Sequence, residues 1–398
     1  MVDEGKKKDY IGGVSWPVTV ELGRGLDGAI TNETTVGHVS GKDARLIYRG
    51  VDVAELAEKS TYEETAYLLL FGRLPKRTEL DYFKAELKAH RRIPKEVLDA
   101  MSHLPQEVHP MSALRTGVSL LGCLDFHSND TTNVESETRV AVRLISQLPI
   151  IAAAVGRLLE GREYIPPDKF MDHTENFLYM LTGEKPDPET VRIIDKTLIL
   201  HADHGMNAST FTAMVIHSSL SGLYSAVVGG IGSLKGPLHG GANEKAIEML
   251  LSLPDEEAAR KYVENALARK EKIMGFGHRV YKTYDPRAQI LRPYAEKICR
   301  EKGGEYEKLF NIALLVEKLV VDAVGPKGIY TNVDFFSGIV YYALGIPIRM
   351  YTPIFAVARV AGWTSRVIEY MPMNRLFRPR SIYVGPLNVP YVPIEERG

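Results

Sequence analysis

From residue 61 onward, apolar positions recur at helical rather than alternating spacing, and Pro or Gly closes nearly every run. Thr61 with Glu64 forms a capping box ahead of TAYLLLFG, and Gly72 followed by Leu74-Pro75 stops that helix. The same pattern predicts helical segments over 79–90, 96–104, 111–124, 136–161, 167–183, 188–205, 241–271, 286–324 and 355–371. The first fifty residues differ. VTVELG at 18–23, a Gly- and Thr-rich stretch through Gly41 and ARLIYRG at 44–50 predict short strands or an extended arm. Past Pro372 the chain becomes a Pro-rich extended tail, and no fixed repeat period is visible. The expected fold class is mainly α with a small N-terminal β or irregular edge.

Composition adds bounds. At roughly 100–200 residues per domain, 398 residues allow two or three domains with a large core. The 49 Lys and Arg residues against 50 Asp and Glu leave a net charge of −1, which argues against a nucleic-acid binder. Cys123 and Cys299 are too few for a disulfide framework, and MVDEGKKKDY is no charged-then-apolar leader, so a cytoplasmic setting is expected. No Asp, Glu, Lys or Arg occurs between Asp203 and Lys235, yet His, Asn, Ser and Gly interrupt that run. It suits close helix packing in a core or a dimer interface, and no membrane span is expected. Residues from about 244 to 330 are dense in Glu and Lys on helical spacing, the mark of a surface-rich helical subdomain.

Among the eleven histidines, His38, His90, His103, His109, His127 and His173 stand in polar, surface-like contexts. Three clusters differ. In HADHGMN, His201, Asp203 and His204 end a helix and Asn207 opens the next segment; the His pair is either a partial metal site or a satisfied helix junction. In LKGPLHGGANE, His239 lies between Gly236-Pro237 and Gly240-Gly241, ahead of a helix with Glu244 in its first turn. The positive end of that helix would keep His239 neutral and a hydrogen-bond donor, or His239 simply caps the turn. In IMGFGHRVYKTYDPR, Gly275 and Gly277 precede His278, and Arg279, Lys282 and Arg287 follow, a flexible basic turn suited to an anion and not a dinucleotide fingerprint. Asp334, set among Val333, Phe335 and Phe336 at a helix start, is either an N-cap or a buried acid whose pKa burial raises and the helix dipole lowers. Together these residues describe acid–base chemistry on an anionic carbonyl compound.

The segments HADHGMNAST, GPLHGGANE, GFGHRVYKTYDPR, NVDFFSG and FRPRS occur in the order and spacing of one family: from about Gly25 to near its end the chain resembles citrate synthase. The resemblance implies a multihelical two-domain homodimer, with a large domain of residues 1–239 and 340–398 and a small domain of residues 240–339 that closes over the site. It implies condensation of acetyl-CoA with oxaloacetate and hydrolysis of citryl-CoA, the entry to the tricarboxylic acid cycle, with CoA as cosubstrate and no permanently bound cofactor or metal. Asp334 then removes a methyl proton, His239 stabilises the enol or enolate, and His278 polarises the oxaloacetate carbonyl. Arg287, Arg359 and Arg378 bind its carboxylates, Arg378 reaching across from the partner subunit, while His204 and Asn207 add polar contacts. Gly275, Gly277, Lys282 and Lys327 fall on the CoA side, Lys282 where some relatives carry Arg. Use of propionyl-CoA, as in 2-methylcitrate synthase, stays open. Rival readings are a metal-dependent hydrolase on His201, His204 and His239, and a non-catalytic helical scaffold.

Overall fold

The structure, a computed structural model, describes residues 24–26, 28–126, 130–381, 385–386 and 388–398. The strand expected at 18–23 and His127 lie outside them. The described residues divide into two compact units: one runs from Thr34 to Arg375, and the other comprises the described residues up to Glu33 and from Leu376 on. The seams expected near residues 240 and 339 run inside the larger unit. Of the smaller unit, the described C-terminal residues form no regular element beyond a short helical turn at Ile394–Glu396 and expose Val389, Tyr391 and Ile394.

Sixteen α-helices occur among the described residues, with one three-stranded antiparallel sheet made of Gly37–Ser40, Arg45–Tyr48 and Val51–Asp52 in that order. The mainly α fold with a small N-terminal β edge is what the sequence pattern predicts. Local chemistry sets the helix ends. The Thr61 side chain accepts from Glu64 N–H, and Gly72 ends the helix Tyr62–Phe71 in the left-handed conformation, φ 79°. Four expected helices are shorter or divided. The one expected over 188–205 ends at His201, leaving Asp203 and His204 in the turn that follows. The stretch 241–271 splits into Ala242–Leu251 and Glu256–Ala268, because Asp255 caps the second helix through Ala258 N–H. The stretch 286–324 breaks at Gly303, φ 63°. The helix expected from 167 begins only at His173, since the Asp168 carboxylate holds Phe170 and Met171 N–H in a turn.

The helix Tyr351–Tyr370 is the axis of the core: every one of its residues but Glu369 is buried, and it packs against the helices Tyr62–Phe71, Val134–Leu158, Pro188–His201, Ala208–His217 and Leu223–Leu234. Val134–Leu158 is long and apolar enough to cross a membrane by length and composition, and in this fold it is mostly buried. The uncharged run 204–234 forms the helices Ala208–His217 and Leu223–Leu234, which pack on each other as small residues permit.

A central helix buried on all sides still carries Arg359 and Arg366. Arg366 is paired: it donates to both Asp203 oxygens at 2.7 Å. Asp203 lies in the turn after the helix Pro188–His201, and Tyr48 from the sheet grips that turn, its hydroxyl donating to Asp203 O at 2.8 Å. Gly362 lets the turn touch the central helix. Its N–H donates to Ala202 O at 3.1 Å, and a Cβ there would stand 2.3 Å from that oxygen. Gly362→Ala is therefore expected to cost about 1–3 kcal/mol through overpacking, read as a lowered urea midpoint; an unchanged midpoint would contradict this contact.

Candidate active site

The turn between Pro188–His201 and Ala208–His217 delivers the first group of side chains. Asn207 is the N-cap of the second helix: its Oδ1 accepts from Thr210 N–H at 3.0 Å and from the Ser209 hydroxyl at 2.8 Å. Its amide donates weakly to His204 O and Gly205 O, so the whole side chain is used in shaping the turn. His204 is buried, and its Nε2 lies 3.2 Å from the Tyr281 hydroxyl.

His239 meets this same helix start. The backbone N–H of Ser209 donates to His239 Nε2 at 3.3 Å, and the Ser209 hydroxyl lies 2.8 Å from it. An amide N–H can only donate, so Nε2 accepts and the proton of the neutral ring sits on Nδ1. Burial, reinforced by the Arg359 charge, pushes the ring down to about 3, so it is neutral across the physiological range. A helix start does polarise His239, as the sequence suggests, but the contact comes from Ala208–His217. Glu244, in the first turn of the helix that follows His239, instead accepts from the Thr352 hydroxyl and, at 3.3 Å, from Thr352 N–H.

His278 has the opposite proton placement. Val280 and Tyr281 N–H both donate to its Nδ1 at 3.0 Å, which leaves the proton on Nε2. Burial, then the charges of Arg287 and Lys282, lower it to about 4. The ring stands 5.1 Å from that of His204 and 4.6 Å from that of Tyr281. The two glycines before it make this loop possible. Gly275 has φ 83° and a Cβ would stand 2.7 Å from the Phe335 ring; Gly277 has φ 80°. Between them, Phe276 bridges Thr331, Gly277 N–H donates to Tyr330 O and Asn332 N–H to Gly275 O. The His278 loop is thus tied to the start of the helix Val333–Ala343, which carries Asp334.

Asn332, not Asp334, caps that helix, accepting from Asp334 N–H at 3.1 Å. The Asp334 carboxyl is left free of capping duty, and its buried Oδ1 has no hydrogen-bond partner among the described residues. Burial, reinforced by Asp285, raises it to about 7 against the pull of Arg287, Lys272 and Arg359. Asp285 joins the parts: it accepts from Arg287 Nε at 3.0 Å, from Arg287 Nη2 at 2.7 Å and from Val333 N–H at 3.2 Å.

Arg359 is 1% exposed. Its Nε donates to His201 O at 2.6 Å and its guanidinium lies 4.7 Å from the centre of the Phe355 ring, but its Nη1 is buried without a hydrogen-bond partner among the described residues. Burial lowers its pKa to about 10 despite Asp203, whose oxygens Arg366 occupies. The charges of Arg287 and Arg359 both act on His201, His204 and Asp334. The larger unit therefore gathers two neutral imidazoles with defined N–H directions, one carboxyl that titrates near neutrality and one guanidinium lacking a counterion. Such a set can bind a small anion, remove a weakly acidic proton and stabilise the oxyanion formed.

Lys282 and Lys327 are exposed, and the residue after Lys327 lies against Lys282, a Cβ on Gly328 standing 3.3 Å from Lys282 Cβ. Arg378 belongs to the smaller unit and is exposed. His201 Nδ1 donates to Thr197 O at 2.7 Å, and among the described residues no three His, Cys, Asp or Glu side chains converge as a metal-binding group. Two histidines assigned to surface contexts are elsewhere: His109 caps the helix Pro110–Leu124, and His173 is buried with its ring 5.1 Å from that of Tyr62. Ser209 and Tyr281 complete the site without a role read from the sequence, and Asp285, which stands beside Pro286 and Arg287 in the DPR run, is the partner of Arg287.

The family model described as citrate synthase, C-terminal domain, matches residues 25–380. The citrate synthase of Deinococcus radiodurans is 47% identical over 376 residues, 94% of this chain and 99% of that protein. The 2-methylcitrate synthase of Shewanella oneidensis is 39% identical, over 94% of this chain and 98% of that protein. The ternary complex of carboxymethyl coenzyme A and oxaloacetate with the citrate synthase of Thermoplasma acidophilum matches this fold with a TM-score of 0.91 at 37% identity, over 95% of this chain and 100% of that one.

The raised pKa of Asp334 has a stability consequence. The folded carboxyl keeps a proton that the unfolded chain releases near its ordinary 3.8, so the stability it contributes is fully present below that value and lost as pH rises through about 7. Asp334→Asn is expected to remove this dependence: between about pH 5 and pH 8 the parent's urea midpoint should fall relative to the variant's. Parallel pH profiles would show that the carboxyl titrates in its ordinary range.

Proposed function

The chain belongs to the citrate synthase family, which makes it an enzyme that condenses acetyl-CoA with oxaloacetate, and we propose that Asp334, His239 and His278 carry the reaction. A thioester methyl group is a weak acid, so the base must be strong and yet unprotonated near neutrality. Asp334, raised to about 7, meets both conditions. Removing the proton places negative charge on the thioester oxygen, and the Nδ1–H of neutral His239 is the donor that receives it. The Nε2–H of His278 polarises the oxaloacetate carbonyl and hydrogen-bonds the alkoxide that forms, the proton taken from the methyl group is returned to that oxygen, and water then cleaves citryl-CoA to citrate and CoA. The observation that carries this reading is that backbone amides donate to Nε2 of His239 and to Nδ1 of His278, which puts the remaining N–H on opposite nitrogens of the two rings.

Charge supports the remaining roles. Arg287 is neutralised by Asp285 and Arg366 by Asp203, so of these three buried arginines Arg359 is the one that offers an unmatched positive charge to a dianionic substrate. Arg287 still presents Nη1, which has no partner among the described residues, and a second full charge is required from elsewhere. We assign it to Arg378 of a second subunit in a cytoplasmic homodimer, in keeping with its exposure in the smaller unit. His204 borders the oxaloacetate side, and Asn207 acts by holding the His204 turn and Ser209 in place. Lys282 and Lys327 receive the CoA phosphates. Since His278, Arg287 and Asp334 belong to residues 240–339 and His239, His204 and Arg359 to the rest, closing that segment over the remainder would exclude water before condensation.

The direct test is thiol release with oxaloacetate in the presence of chelator, comparing acetyl-CoA with propionyl-CoA. Faster release with acetyl-CoA is expected; a propionyl-CoA preference would move the activity to that of the 2-methylcitrate synthases, a difference of one methylene in the acyl pocket. Asp334→Asn should lower turnover by about 100-fold or more while retaining oxaloacetate binding. Near-parent turnover in that variant would remove Asp334 from the reaction.

A further inference from the structure

Arg359 lies in a turn of the central helix that is also hydrogen-bonded to other parts of the molecule. Gly362 N–H, one turn on from Ala358, reaches Ala202 O at 3.1 Å. The hydroxyl of Tyr62 donates to Ala358 O at 2.9 Å, shared with Val357 O at 2.8 Å. Tyr62 comes from nearly 300 residues earlier in the chain, the separation to Val357 being 295. It is wholly buried, its backbone N–H points at both Asp195 oxygens at 3.2 Å, and its ring packs on His173. Asp195 and His201 stand on one helix, and the His201 carbonyl is the oxygen that takes Arg359 Nε. Arg359 is thus held at its head by His201 and at its backbone by Tyr62, with the same helix behind both supports.

We propose that Tyr62 is a positioning residue for oxaloacetate: its hydroxyl holds the Val357 and Ala358 carbonyls and so fixes the backbone from which Arg359 reaches the substrate. This rests on Arg359 as an oxaloacetate ligand. The hydroxyl touches no reacting atom, so its removal acts through Arg359 and on one substrate only. A purely structural residue would lower stability and affect both substrates alike.

The test is the steady-state kinetics of Tyr62→Phe, of Arg359→Lys and of the double variant, each varied in oxaloacetate and in acetyl-CoA, with direct oxaloacetate titration of the parent and of each variant. Tyr62→Phe keeps the ring and its packing and deletes only the hydroxyl. It is expected to weaken oxaloacetate binding about five- to tenfold, the scale of one neutral hydrogen bond, with the KM for acetyl-CoA unchanged. In the Arg359→Lys background the same substitution should add little, because both changes act on one contact. Additive losses, or equal effects on both substrates, would overturn the role of Tyr62. If Arg359→Lys itself leaves oxaloacetate binding intact, the failure lies with Arg359 and the proposal falls with it. Should Tyr62→Phe not fold, Gly362→Ala, which presses on the Ala202 carbonyl in the same turn, is to be titrated instead; unaltered oxaloacetate affinity in that folded variant would likewise overturn the proposal.

Discussion

A guanidinium sealed in the core without a carboxylate of its own is the constraint around which this molecule is arranged. Isolated buried charge is costly, and proteins keep it where a ligand supplies the missing partner. Arg359 is in that position: Asp203 is taken by Arg366, Asp285 by Arg287, and Arg359 Nη1 is left with no partner among the described residues. The same charge, with that of Arg287, acts on His204, where it reinforces burial, and on Asp334, where it opposes it, so the charge proposed to attract a dicarboxylate also bears on the protonation of groups around it.

The proton positions follow from backbone rather than from other side chains. Each of the two imidazoles proposed for the reaction has one nitrogen occupied by amide N–H groups, at a helix start for His239 and in a glycine-shaped loop for His278. Main-chain donors cannot titrate or rotate away, so the direction of each remaining N–H is built into the fold, the preorganisation that oxyanion stabilisation requires. Asp334 is freed for its role by Asn332, which takes over the capping that an acid at a helix start ordinarily performs.

Much of this was legible in the chain. Helices with strong apolar spacing and local caps, such as Tyr62–Phe71 with Thr61 and Gly72, are encoded within a few residues of themselves. Gly275 and Gly277 beside His278 announced an unusual backbone, and the family motifs supplied Arg287 and Arg359. Where helices were overextended, at Asp168, Asp255 and Gly303, a single side chain or a positive φ broke an otherwise continuous apolar pattern. The tautomer of His239, the choice of Asn332 over Asp334 as cap, and the supports given by Tyr48 and Tyr62 carried no local signal. Their partners lie across the fold, as Tyr62 does from Val357, or depend on which of two neighbouring polar residues wins a backbone amide.

The central claim is that Arg359 is kept as an unmatched charge for the sake of an anion, and Arg359→Met tests it most directly by pairing oxaloacetate titration with a urea melt of the unliganded protein. Removing the charge while filling the volume should abolish measurable oxaloacetate binding and leave the unliganded protein as stable as the parent, or more stable by about 1–4 kcal/mol, as when buried ionic groups are replaced by apolar ones. A variant that is less stable yet still binds oxaloacetate would mean that Arg359 serves the fold and not the substrate.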